Sequence, residues 1–134
     1  MDYALDTNTV IHLMRGTKSA ESSIERARSN GARFFIPYAV HYEVRRGLII
    51  KPIPKYEKAY AIICANCSIQ SITDEVWERA ARIYAELYAK RFTVADADIL
   101  IAAFCVLNDY TLVTDNKKDF ENIDGLKFEN WITP

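Results

Sequence analysis

Tyr3-Ala4-Leu5-Asp6-Thr7-Asn8 opens the chain with a short apolar run that stops at an acid. Thr111-Leu112-Val113-Thr114 runs in the same way into Asp115, and Phe34-Phe35-Ile36 leads through Pro37 toward Glu43. A fourth acid, Asp98, opens the apolar stretch Ile99 to Leu107. If the apolar runs are parallel strands, their carboxyl ends share one edge of the sheet, where open α/β folds place ligands. The acids then converge. Two carboxylates about 4 Å apart repel by roughly 4 kcal/mol at an effective dielectric near 20, so such a cluster needs a counter-charge. A divalent cation is the simplest one, and an oxygen-only donor set suits phosphoryl-transfer or phosphodiester chemistry.

Outward from these runs, short apolar segments alternate with longer helical patterns, as in βα units around a parallel sheet. Tyr3 to Leu5 is expected as the first strand, with Asn8 or Thr9 capping a helix that carries Val10, Ile11, Leu13 and Met14. Phe34 to Ile36 is the second strand, and Pro37 suits the first position of a helix that carries Glu43. Gly47 and Pro52-Ile53-Pro54 are expected to break that helix, ahead of one with Tyr56, Ala59, Tyr60 and Ile63 on its apolar face. Ser68 to Ile72 reads as a short strand, and Thr73 as the cap of a long helix through Leu87. Ile99 to Leu107 is apolar all round, as in a buried helix, and Leu112-Val113 and Leu126 to Phe128 supply the last of about five strands.

The 134 residues fit one domain, 1–134, with half of them hydrophobic. A formal net charge of -1 excludes a broadly basic protein, though a local basic patch can still meet nucleic acid. The amino terminus lacks the basic stretch of a secretory signal, and the longest apolar run falls far short of a membrane span, so a cytoplasmic protein with no membrane partner is expected. Cys64, Cys67 and Cys105 make an odd count that no intramolecular disulfide framework leaves.

Each acid has a plain structural role open to it: Asp6 as a helix cap, Glu43 paired with Arg45 or Arg46, Asp98 in the first turn of its helix. Together they resemble something more specific. Leu5-Asp6-Thr7-Asn8, Tyr42-Glu43-Val44-Arg45-Arg46-Gly47, Asp98-Ile99-Leu100-Ile101-Ala102-Ala103, Leu112-Val113-Thr114-Asp115-Asn116 with Asp119-Phe120, and Gly125 to Trp131 resemble, in order and spacing, the PIN-domain nucleases and in particular the VapC-type toxins of toxin–antitoxin modules. The resemblance implies a PIN-like three-layer α/β/α sandwich with a mainly parallel sheet. It implies metal-dependent hydrolysis of structured RNA, with Asp6, Glu43, Asp98 and Asp115 as catalytic and metal-holding acids, Mg²⁺ or Mn²⁺ as cofactor, and Thr114 and Asn8 as supporting polar groups. It also implies a homodimer and a cognate VapB-type antitoxin. Asp96 lies two residues before Asp98 and is the reserve ligand.

Arg45, Arg46, Lys117 and Lys118 stand near these acids in sequence and are candidates for holding RNA phosphates. Cys64-Ala65-Asn66-Cys67 has redox or zinc spacing, but it ends a helical pattern where a reactive pair belongs at a helix start, so both cysteines read as structural. His41 reads as a partly exposed helix residue. A phosphatase of the haloacid dehalogenase type would use Asp6 as nucleophile, but it wants a second acid where this chain has Asn8. A docking domain without catalysis has no reason to bear four mutually repelling acids.

Overall fold

In the computed structural model, which describes residues 1–133, strand β1 (Asp2–Leu5) occupies the middle of a sheet. Around it stand β2 (Arg33–Pro37), β3 (Ser68–Gln70), β4 (Thr111–Val113) and β5 (Phe128–Glu129). The strand order is β3-β2-β1-β4-β5, and every pairing is parallel. The central strands read as unbroken apolar runs because both faces are covered: Ala4, Leu5, Ile36, Leu112 and Val113 have no exposed surface.

The helices are α1 (Thr7–Met14), α2 (Lys18–Ser29), α3 (Tyr38–Ile50), α4 (Pro54–Ala65), α5 (Asp74–Ala89), α6 (Asp96–Asn108) and α7 (Lys117–Phe120). With the right-handed crossovers usual in parallel sheets, this strand order places α1 to α4 on one face and α5 to α7 on the other. Helix α1 packs on α2, α3 and α4, α5 packs on α6, and α3 reaches α6. The chain leaves β1 for β2 and β3 on one side, then crosses back to β4 on the other. The boundary between β1 and β4 is therefore the topological switch point, where such sheets open a crevice at their carboxyl edge.

Several local expectations change. Helix α1 begins at Thr7 and not beyond Asn8, because the Asp6 carboxylate accepts from the Thr7 N–H at 2.8 Å and is itself the cap. Pro37 closes β2 in an extended conformation, one residue ahead of the helix. Gly47 does not break α3, which runs on to Ile50 because Val44 and Leu48 on either side of it are buried. Helix α2 has no counterpart among the predicted elements. It buries only Ala20 and Ile24, too thin a stripe to stand out in a charged segment. Thr73 does cap α5, accepting from the Val76 N–H at 3.3 Å. None of the described helices is long and apolar enough to cross a membrane.

Candidate active site

The register of the two central strands builds the site. Leu5 lies opposite Val113, so the next residues, Asp6 and Thr114, leave the sheet side by side. The Thr114 hydroxyl donates to Asp6 Oδ2 at 2.7 Å, and the Asp6 N–H donates to the Val113 carbonyl at 3.0 Å. Asp6 is only 4% exposed. Burial raises its pKa, and the bonds from Thr114 and from the Thr7 N–H work against that rise. The same Thr114 oxygen accepts from the Asn116 N–H at 3.0 Å, which fixes the start of the β4–α7 turn.

Glu43 comes in from α3. The Thr7 hydroxyl donates to Glu43 Oε1 at 2.8 Å, while Arg46 Nη2 stands 3.6 Å from Oε2. Asp98 comes from the first turn of α6, where the helix dipole favours a carboxylate. Its pKa is nevertheless pushed up to about 6, first by burial and then by the negative charges of Asp6, Asp119 and Glu43. Among the described residues no hydrogen bond offsets this. Asp115 is exposed at the end of β4 and accepts from Asn8 Nδ2 at 3.1 Å. Its charge acts on Asp6.

Asp6, Glu43, Asp98 and Asp115 thus gather at one edge of the sheet, with Thr114 and Asn8 bonded to two of them. The reserve acid does not join them. Asp96 is exposed and lines a cleft between α5 and α6 with Trp77, Tyr84 and Leu100, because two helical positions turn it about 200° from Asp98. Arg45 also points elsewhere, pairing with Glu57 of α4 at 2.9 Å. Lys117 and Lys118 are exposed in α7, next to the turn that carries Asp115. His41 faces α4, its Nδ1 lying 2.7 Å from the Tyr60 hydroxyl and its pKa lowered by burial. Cys64, Cys67 and Cys105 are free, and burial holds the Cys67 thiol up at about 12, which leaves it inert at neutral pH.

Sequence reasoning gave no role to three residues that the structure ties to the site. Thr7 orients Glu43. Asp119 adds its charge to the field at Asp98. Asn116 holds Asp119 through Nδ2 at 2.8 Å. A hydroxyl directly after a capping acid, and an Asn and an Asp three apart in the turn after β4, were the available signals.

Among the described residues, no three carboxylate, histidine or cysteine side chains stand close enough to share one ion. The donor set nevertheless fits a hard divalent cation. All donors are oxygens, Asp98 lacks a counter-charge, and each engaged oxygen of Asp6 keeps an unused lone pair.

The PIN domain family model matches residues 3–126. The chain is 28% identical to ribonuclease VapC2 of Haemophilus influenzae, covering 98% of this chain and 99% of that protein. It is also 28% identical to the tRNA(fMet)-specific endonuclease VapC of Salmonella typhimurium, with 98% of each covered. Among solved structures, VapBC2 from Rickettsia felis bound to a DNA fragment from its promoter superposes with a TM-score of 0.90 at 26% identity, over 98% of this chain and 99% of that one.

Proposed function

The chain belongs to the PIN domain family, and from that premise we propose that it is a metal-dependent endoribonuclease, the toxin of a type II toxin–antitoxin pair. Its substrate is structured RNA of the transfer or ribosomal kind, met in the cytoplasm. The observation that carries this reading is the convergence of acids from segments far apart in sequence at the β1–β4 switch point, where Asp98 stays uncompensated. Structural ion pairs do not call for an arrangement that leaves the folded protein with a surplus of negative charge.

Asp6 and Asp98 would hold Mg²⁺ or Mn²⁺, with Asp115 and Glu43 as the neighbouring donors. The bound ion supplies a Lewis acid for the phosphate and lowers the pKa of water. The chain's own residues do the rest. Thr114 and the Thr7 N–H fix both oxygens of Asp6, so this carboxylate is positioned before any ligand arrives. Thr7 holds Glu43 through Oε1, and Glu43 would orient the attacking water and accept its proton. Lys117 and Lys118 lie where RNA phosphates would run.

A VapB-type antitoxin is the proposed partner, in keeping with the solved VapBC complex that this chain resembles, and the toxin is expected to form a homodimer. The deciding experiment incubates purified protein with total cellular RNA in Mg²⁺, Mn²⁺ or EDTA beside Asp6→Asn and maps new 5′ ends. Discrete cuts that need both metal and Asp6 are expected. Cuts that persist in EDTA, or in the variant, would overturn the mechanism.

A further inference from the structure

Arg46 bridges a groove acid and an aromatic ring that faces solvent. Its guanidinium carbon lies 5.2 Å from the centroid of the Tyr42 ring, and its Nη2 lies 3.6 Å from Glu43 Oε2. Tyr42 is 62% exposed, and the Arg46 side chain 54%. Positions 42 and 46 are one helical step of four apart on α3, so their side chains lie over one another, while Glu43 sits about 100° around the helix toward the groove. Neither exposed residue is needed for packing, because the core face of α3 is carried by Val40, Val44 and Leu48. The adjacent Arg45 is engaged by Glu57 and contributes nothing here.

An exposed aromatic face beside a guanidinium is what unpaired nucleotides bind: the ring stacks a base, and the cation meets its phosphate. Resting on the ribonuclease reading above, we propose that Tyr42 and Arg46 form the nucleotide-binding rim of the groove. Tyr42 stacks an unpaired base flanking the cleaved phosphodiester, and Arg46 leaves Glu43 for the phosphate of that nucleotide. Such stacking requires the base beside the cut to be unpaired, since a base inside a duplex keeps both faces in its own stack. A second copy of the chain suits this surface less well, because the ring is flanked by a guanidinium and a carboxylate, and charged residues are depleted at the centre of protein interfaces.

The test uses the full chain in Mg²⁺ with a short single-stranded RNA spanning a mapped cut. Steady-state cleavage is compared for wild type, Tyr42→Ala, Tyr42→Trp and Arg46→Gln, with sedimentation of each. Tyr42→Ala is expected to raise KM about tenfold with kcat within about twofold, and Tyr42→Trp to restore KM, since stacking needs a ring and not a hydroxyl. Arg46→Gln should flatten the salt dependence of kcat/KM. An unchanged KM in Tyr42→Ala, a loss shared by Tyr42→Trp, or a change of sedimentation in Tyr42→Ala would each overturn the assignment, the last by marking a contact between copies. If wild type cuts no RNA with any divalent ion, the ribonuclease reading fails and this one with it. If wild type and Tyr42→Ala cut alike, only the stacking role fails.

Discussion

Asp98→Asn should make the metal-free protein more stable at neutral pH while abolishing its response to metal. The Asp98 pKa is pushed from its ordinary 3.8 to about 6 by burial and by Asp6, Asp119 and Glu43. At 1.36 kcal/mol per pH unit the ionised form carries about 3 kcal/mol of destabilisation, and solvent screening of this half-exposed carboxylate reduces that to about 1.5 kcal/mol. The sign follows from linkage. A folded-state pKa above the unfolded one means that Asp98 adds stability below pH 3.8, and that this stability is lost as pH rises through about 6. Asparagine cannot ionise and keeps it. In EDTA at pH 7.5 the variant should therefore melt roughly 3–6 °C above wild type, and the gap should close near pH 4. Saturating Mg²⁺ should raise the wild-type midpoint and leave the variant unmoved. Thermal unfolding at both pH values, with and without metal, measures all of this. A variant less stable than wild type at pH 7.5 in EDTA would refute the idea that Asp98 is held charged against its surroundings.

Thr114→Val keeps the shape of a buried residue but removes the 2.7 Å bond to Asp6. It should cost about 1.5–3 kcal/mol in urea unfolding and strip the nuclease of most activity. Arg91 has φ 63 directly after α5, where the Phe92 N–H bonds back to the Leu87 carbonyl at 2.9 Å. Arg91→Gly should raise stability by about 1 kcal/mol, and a lower melting temperature would show that the left-handed position carries no strain. Reversing Lys117 and Lys118 to Glu should weaken RNA binding and lower its salt slope; an unchanged slope removes both from the RNA surface.

Asp6, Asp98 and Asp115 were legible in the sequence because each follows or opens an apolar run that has to be a buried element, and Glu43 because it lies on the helix that one such run leads into. Their convergence was expected from parallel strands, but the strand pairing that delivers it was not. That Asp6 and Thr114 leave the sheet together depends on β4 pairing with β1 in one register, a contact more than a hundred residues apart in the chain that no local pattern encodes. Gly47 misled because tertiary burial of Val44 and Leu48 outweighs the helix cost of one glycine, about 1 kcal/mol. Arg45 and Arg46 were indistinguishable as letters. Only the helix phase sends one to Glu57 and the other to Glu43.

The joining of β1 to β4 also governs when the protein becomes able to act. A ribosome delivers Asp6 long before Thr114, and the neighbour that β1 needs on its β4 side does not exist until residues 111–113 have emerged. Until then Asp6 lacks its hydroxyl donor and Asp115 is absent altogether. A nascent chain or one truncated before β4 can fold helices and pair β1 with β2, yet its acidic groove is incomplete. On the ribonuclease reading proposed above, competence to cleave therefore follows the docking of β4 beside β1, however early the first acid is made.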